Sequence, residues 1–435
     1  MRSRKPRLMI LGGGSSQISA LRRGQQMGFD VILADQNPQA PGRRWADRFE
    51  EASTFDVEAV EAAAARSGAE ALLAVGSDQP VYTAASVSRR LDLPYPLSPE
   101  QALRVTNKGE MKRILSSAEV PLVPWTLLSR DSSAWRREGL DELTPPWVVK
   151  PVDSQGQRGI RIVRNREELG AHLPVALSFS REERVLVEEY YHSREITVSG
   201  WAHRYPPAGL EPTEIWTVTD RVTFDPSLSL GVCLAHRYPS EAARPVEGEI
   251  RGITSRIVRA LELRGVPIYF QMLIGGKGVR VNEIACRLGG AYEDRSIPLV
   301  TGVDILGVQL NWYAEALGIG NSESAGPMSA RLARAFAVPL MFARPGTIAR
   351  MSGADELGRV EGVTECRFLL PPGTRIDHMT NSTQRVAYAV VHADDAGTIN
   401  RLVDTVFDTL RVENRKGRNL LIDTRQETKR TIEVE

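Results

Sequence analysis

Between Leu8 and Val75 the chain alternates short, unbroken apolar runs with longer stretches of mixed polarity. Leu8-Met-Ile-Leu11 ends in Gly12-Gly13-Gly14 and leads into a helix-like stretch to Met27. Val31-Ile-Leu-Ala34 is closed by Asp35, Val57 to Arg66 reads as a helix, and Ala71-Leu-Leu-Ala-Val75 reads as another buried strand. Strands that alternate with helices predict a parallel, doubly wound sheet, and residues 1–104 are assigned to it. A helix rich in Lys and Met is predicted from Asn107 to Leu115. Trp147-Val-Val-Lys-Pro151 and Ile160-Arg-Ile-Val163 read as strands around a glycine loop, Val152 to Gly159, with a short helix from Glu167 to His172. Val185 to Tyr191 and Glu195 to Ser199 are strands separated by a turn. A second α+β portion, about Ile196 to Ala316, holds a helix from Glu249 to Leu263. It also holds a hairpin, Ile268–Ile274 with Val279–Ile284, around Gly275-Gly276-Lys-Gly278. From Pro327 the texture shifts to short alternating runs, Pro371-Pro-Gly and a last helix from Thr398 to Leu410, which predicts a small α+β unit over 327–435. No internal repeat or low-complexity tract is present.

Composition narrows the class. A chain of 435 residues is too long for one hydrophobic core, so two to four packed units are expected. Hydrophobic residues at 42% and charged residues at 25% are ordinary for a soluble protein. The formal charge of +1 gives no sign of a nucleic-acid or membrane partner, although local positive clusters still suit a phosphate ligand. Cys233, Cys286 and Cys366 show no paired or CxxC spacing, which fits a reducing compartment. The lead Met1 to Arg7 is basic, but Leu8–Leu11 is too short for a signal peptide and no apolar run reaches the roughly 18 residues of a membrane span. A cytoplasmic location is the expectation.

Gly12-Gly-Gly14 after a strand, with Asp35 about twenty residues on, invites a dinucleotide-binding reading. The third glycine of that fingerprint would fall at Gln17, and its loss favours a tight turn in a Rossmann-like domain that binds no dinucleotide.

Three downstream segments carry chemistry. Lys150 ends a strand before Ser154-Gln-Gly156-Gln-Arg158-Gly159, and an ammonium beside a flexible glycine loop suits polyphosphate. Glu188-Glu-Tyr-Tyr191 followed by Glu195 offers strand-edge backbone for adenine and a carboxylate for ribose. Gln271 and Glu283 lie on paired strands of the hairpin, so both can face one site with oxygen donors suited to Mg²⁺. Arg287 follows, placed to spread the charge of a transferring phosphoryl group.

In order, spacing and residue type these segments resemble the ATP-grasp superfamily over about residues 1–320. Val185-Leu-Val-Glu-Glu-Tyr-Tyr-His-Ser-Arg-Glu195 looks like the hinge of D-alanine–D-alanine ligase. The resemblance implies nucleotide contacts from Glu188, Glu189, Tyr191 and Glu195, phosphate lysines at Lys108 and Lys150, and a mobile loop at Ser154, Gly156 and Gly159. It implies a metal pair at Gln271 and Glu283 and a catalytic role for Arg287 and Lys150. The family's usual Asn two residues past the metal Glu is Ala285 here, with Asn282 a substitute.

Glu283 to Asp304 and the C-terminal stretch with Pro345-Gly-Thr347 and Val360-Glu-Gly-Val363 are similar to the L-amino-acid ligases. That likeness makes His236, Arg237, Gly289, Gly290 and Arg295 the substrate-side candidates. The implied architecture is α/β: a Rossmann-like N-terminal domain (1–104), a two-part α+β ATP-grasp core (105–326) and a small α+β C-terminal domain (327–435). The implied activity is an ATP- and Mg²⁺-dependent ligase that joins a small-molecule carboxylate to an amine through an acyl phosphate. Relatives form dimers, so a homodimer is among the expectations. The rivals are carboxylation or formyl-phosphate chemistry on the same nucleotide half, and a non-catalytic ATP-binding regulator.

Overall fold

The computed structural model describes residues 4–129, 139–154, 156–205, 211–226, 230–319, 332–379 and 381–429. The expected boundary at 326/327 and both chain ends lie outside them.

Four strands, β1 (Arg7–Leu11), β2 (Asp30–Asp35), β3 (Arg48–Glu51) and β4 (Ala71–Ala74), form a parallel sheet in the order β3-β2-β1-β4. Its apolar runs are unbroken because both faces are covered. Leu8, Ile10, Val31 and Leu33 share a core with Leu21 and with Ile305 and Leu310 of the helix Ile305–Ala316. Met9, Leu11, Ile32 and Ala34 turn the other way onto Val60, Ala84 and Val87. The helix Val57–Ser67 between these strands is capped at both ends, by the Asp56 carboxylate accepting from the Ala59 N–H and by Gly68 at φ 64°.

A second sheet holds β5 (Trp125–Ser129), β6 (Trp147–Pro151), β7 (Arg161–Val163) and β8 (Arg184–Glu189) in the antiparallel order β5-β8-β6-β7. The helix packed on it runs Arg166–Ser178, longer than the Glu167–His172 expected, and it carries Pro174 in its interior. Asn165 caps its start, and Leu169, Leu173 and Leu177 bury a stripe beneath the sheet.

The third sheet is antiparallel and has eight strands: β9 (Arg194–Ala202), β10 (Thr213–Thr223), β11 (Cys233–Tyr238), β12 (Val266–Gly275), β13 (Gly278–Ala285), β14 (Ala335–Met341), β17 (Val363–Phe368) and β19 (Ala387–Ala393). Their order is β13-β12-β9-β10-β11-β14-β19-β17. Two small pairs flank it, β15 (Gly346–Thr347) with β18 (Arg375–Ile376) and β16 (Arg350–Ser352) with β20 (Arg411–Glu413). β14 pairs with β11, so the sheet runs on without a break from the hairpin region into the C-terminal strands. The helix Glu247–Ala260 packs on its near half and Ala396–Thr409 on its far half. No helix among the described residues is long and apolar enough to cross a membrane.

Candidate active site

The second and third sheets face each other across a cleft, and polar side chains from both converge in it. Lys150 pairs with Leu186 across β6 and β8, so Glu188, two residues on, lies diagonally beside it on the same face. The Lys150 ammonium sits 2.6 Å from one Glu188 oxygen and 2.8 Å from the Asn282 amide oxygen. Lys112 meets the other Glu188 oxygen from below and is fully buried. Burial alone would raise the Glu188 carboxyl, but the two ammonium groups outweigh it and hold it at about 2. Burial also weighs most on Lys112 and draws its ammonium down.

Lys112 and Lys108 are one helical turn apart on the helix Lys108–Ser117, whose N-cap Asn107 accepts from the N–H groups of Gly109 and Glu110. Lys108 lies 2.9 Å from Glu283 and donates to the Ser154 carbonyl at 2.9 Å. Its neighbours hold Glu283 ionised: burial opposes the charge, and Lys108 followed by Lys150 reverses that.

The cleft floor is a polar face set by strand register. Glu283, Gln271, Thr197 and Thr219 stand in one row across β13, β12, β9 and β10. His236 stands opposite Arg221 in the next row, and the Thr219 hydroxyl meets it diagonally, 3.0 Å from the imidazole Nδ1. The ladder slips between Gln271 and Met272, so Asn282 is an extra residue with no partner across the strand. That bulge lets adjacent Asn282 and Glu283 both reach the site, which a regular strand would forbid. Ala285 occupies the next row, opposite Tyr269, and is buried. Arg287 lies over the Tyr269 ring at 4.9 Å and is bound to Asp78 at 2.6 Å, a residue of the first domain.

Two connected cavities result. The narrower is lined by Lys150, Glu188, Glu189, Tyr191, Glu195, Gln271 and Asn282. The larger, about 600 Å³, is lined by Glu283, Arg287, Gly290, His236 and the glycine loop of the first domain. Gln157, Arg221 and Gln271 belong to both. The loop from Val152 is turned by Gly156, Gln157 and Gly159, all with positive φ, and lies at the junction; its residue 155 is outside the described set.

Most sequence candidates thus meet in one place, though with altered partners. Glu188 faces two lysines instead of open solvent, and Glu195 pairs with Arg221. Tyr191 uses its hydroxyl to pin the hairpin turn, donating to the Gly278 carbonyl at 2.7 Å and accepting from Lys277 N–H. Gly289 and Gly290 are packing requirements: a Cβ would collide with the Glu293 carboxylate at the first and sit 2.9 Å from the Gly76 carbonyl oxygen at the second. His236 is buried, its Nε2 unpaired among the described residues, and burial, helped by Arg221 and Arg385, pushes its imidazole down to about 3, so it is neutral. Two candidates stand apart. Arg237 follows His236 on a strand and points to the opposite face, where it binds the Thr428 and Lys429 carbonyls and Asn400. Arg295 turns to Asp294 and Glu365 in an adjoining cavity beyond Tyr292, away from Glu283 and Arg287. The expected substrate role of Arg237 is corrected accordingly.

Sequence reasoning missed Arg221, Lys112 and Asp78. Arg221 had a signal, because Thr217, Thr219 and Arg221 alternate with Val218 and Val222 along one strand and all three are buried. Lys112 had one in its spacing from Lys108. Asp78 had none. Asp35 accepts from the N–H groups of Gly13 and Asn37, both at 2.7 Å, and Gln17 donates to the Val75 carbonyl at 2.8 Å.

The donor set suits Mg²⁺ that arrives on a nucleotide. Glu283 supplies one carboxylate and Gln271 an amide oxygen in register, while Ala285 offers no donor. Among the described residues no group of three or more His, Cys, Asp or Glu gathers to form a metal cage, and Mg²⁺ commonly binds through one or two carboxylates plus phosphates.

Residues 114–286 match the family model for the D-ala D-ala ligase C-terminus, and residues 339–415 match that for L-amino acid ligase C-terminal domain 2. The chain is 24% identical over 341 residues to the uncharacterized protein y4rH of Sinorhizobium fredii, covering 75% of this chain and 65% of that one. It is 30% identical over 146 residues to a D-alanine--D-alanine ligase of Syntrophobacter fumaroxidans, 32% of this chain and 46% of that. The chain therefore spans about half to two thirds of the length of these curated relatives. The L-amino acid ligase of Bacillus licheniformis superposes with a TM-score of 0.75 at 15% identity, over 95% of this chain and 100% of that one. The biotin carboxylase domain dimer of Hydrogenobacter thermophilus 2-oxoglutarate carboxylase, solved with MgADP, ADP and bicarbonate, gives 0.73 at 17%, over 94% and 90%. At these identities the likeness is one of fold.

Proposed function

We propose that this chain, which belongs to the ATP-grasp superfamily of carboxylate–amine ligases, uses ATP to convert a small-molecule carboxylate to an acyl phosphate and joins it to an amine. The observation that carries this is the Glu283–Gln271 pair, in register across β13 and β12, with Lys108 2.9 Å from Glu283 and with Lys150 and Arg287 lining the two connected cavities.

In the first step a carboxylate oxygen attacks the γ-phosphorus and ADP leaves. In the second the amine nitrogen attacks the acyl carbon, phosphate leaves and the amine gives up a proton. Glu188, Glu189, Tyr191 and Glu195 would hold adenosine, and Lys150 would neutralise the phosphates from the strand end. The loop Ser154–Gly159 would close over them and exclude water. Arg287, fixed by Asp78 and the Tyr269 ring, would carry charge to the transferring group without reorganising. Gln271 and Glu283 would hold Mg²⁺, which when bound neutralises charge on the phosphate oxygens. Neutral His236 and the Thr219 row would line the acceptor side. No side chain need act as a nucleophile.

Pairs of acids and amines screened for ADP release test this. Release that needs both members supports the ligase. Release driven by bicarbonate or formate moves the chain to carboxylation or formyl-phosphate chemistry, and binding of ATP without turnover makes it a regulator, the alternative favoured by Ala285. Glu283→Gln should abolish metal-dependent turnover while the fold stays intact by circular dichroism; full activity in that variant removes the metal assignment.

A further inference from the structure

Beyond Tyr292 the reaction cavity opens into a third one of about 930 Å³. Ser15, Pro41, Tyr292, Leu369 and Leu370 line both, so the two are continuous. Tyr292 marks the junction: it holds φ 65°, stacks on Tyr388 with ring centroids 3.4 Å apart and shares a 3.2 Å hydrogen bond with Ser15. A non-glycine residue in that backbone region is strained and persists where the surroundings hold it.

The third cavity has a charge the whole chain lacks. Its walls carry Arg22, Arg43, Arg44, Arg295 and Arg367 against the single acid Glu365, in a protein of formal charge +1. Glu365 is taken by Arg367 and Arg295. Arg22 and Arg44 have no carboxylate partner among the described residues; they lie over the Trp45 ring at 4.7 and 5.2 Å. Stacking on an aromatic face fixes a guanidinium while leaving its N–H fork free for bidentate contact with carboxylate or phosphate. A free amino acid needs no such annex, since about 300–1,000 Å³ already accommodates a drug-sized ligand and the reaction cavity alone has about 600 Å³.

We infer that this arginine-lined cavity holds an anionic extension of one of the two substrates, bearing at least two carboxylates or phosphates beyond the reacting group. The inference rests on the ligase reading for the word substrate, but the cavity can be tested without turnover. Calorimetric titration of the whole chain, loaded with a non-hydrolysable ATP analogue, would use Asp-Asp-Ala as the acid and Ala-Asp-Asp amide as the amine. Ala-Ala-Ala is the uncharged control. One acidic peptide should bind at least about tenfold more tightly than the control, and the Arg22→Gln/Arg44→Gln double variant should lose that advantage at an unchanged melting temperature. Which peptide gains identifies the substrate that carries the extension. Equal affinities in wild type, or an acidic preference that survives in the variant, overturns the inference. In turnover the variant should raise KM for the acidic substrate and leave kcat alone. Citrate should compete with the acidic peptide; if it instead alters kcat for an uncharged pair, the cavity is an effector site and the inference falls. Arginine-dependent peptide binding with no ADP release from any pair would sink the ligase reading and leave the cavity assignment standing.

Discussion

The two sides of the proposed site, one for the nucleotide and one for the acceptor, are built in opposite ways. The nucleotide side comes from adjacent strands and one helix: β6, β8, β12, β13 and Lys108–Ser117. Three carboxylates there are matched by cations, Glu188 by Lys112 and Lys150, Glu283 by Lys108, Glu195 by Arg221, while Glu189 accepts from the Thr144 N–H. The acceptor side gathers Ser15, Asp78, His236, Arg287, Tyr292 and Arg385 from segments hundreds of residues apart. It leaves His236 Nε2 and Arg385 Nε without partners among the described residues. A matched set prepares a fixed environment for a ligand that never varies, whereas unpaired groups in a wide cavity await a ligand that completes them.

The comparison breaks most sharply at Arg287, the residue where the two sides meet. Arg287→Lys keeps the charge but loses the fork that grips Asp78 and the plane that lies on Tyr269. Its kcat should fall by about 10³-fold with the KM for ATP within a few fold. Single-turnover measurement of ADP formation checks this, and a rate within tenfold of wild type would assign Arg287 to structure alone.

Glu188 tests the matched side. Glu188→Gln leaves Lys112 and Lys150 facing each other without their counter-charge in a buried place, which should cost about 3–5 kcal/mol. The same group sets an acid limb. Its folded value, about 2, lies below its ordinary 4.5, so its stabilisation is complete above the ordinary value and is lost as pH falls from about 4.5 through 2. Melting temperature measured across that window should drop steeply in the wild type and more shallowly in Glu188→Gln. Parallel acid limbs would show that other carboxylates set it.

How much of this was legible follows the same division. Gln271, Glu283 and Lys150 could be read because strand pairing is local and has a period of two, so a short stretch of sequence fixes which side chains share a face. Asn282 needed the bulge, which no pattern announces. Arg237 was misread because it was taken together with its neighbour His236, although alternation sends the two to opposite faces. Asp78 and Arg385 were invisible because only the docking of distant segments brings them to Arg287 and Gly290. The parallel sheet of the first domain was plain from its apolar runs, but the eight-stranded sheet was not, since its β11–β14 pairing joins segments about a hundred residues apart.

The smallest effect expected is at Gln17, and it separates the two sides most cleanly. Gln17→Gly supplies the missing third glycine of the fingerprint that starts with Gly12 and Gly14 and that a dinucleotide site requires. It should nevertheless bind no NADH, because Asp35, the residue such a site would turn to a ribose, stays engaged with the N–H groups of Gly13 and Asn37. What the variant loses is the bond to the Val75 carbonyl, worth about 1 kcal/mol, together with roughly 0.5–1 kcal/mol of backbone freedom. Because Gln17 lines the acceptor cavity and not the nucleotide cleft, the KM for the acceptor substrate should rise a few fold while that for ATP holds. NADH fluorescence enhancement in Gln17→Gly would return the first domain to dinucleotide binding. A shift in the ATP constant would mean that the two sides are coupled through this loop, and the division drawn between them would fail at its narrowest point.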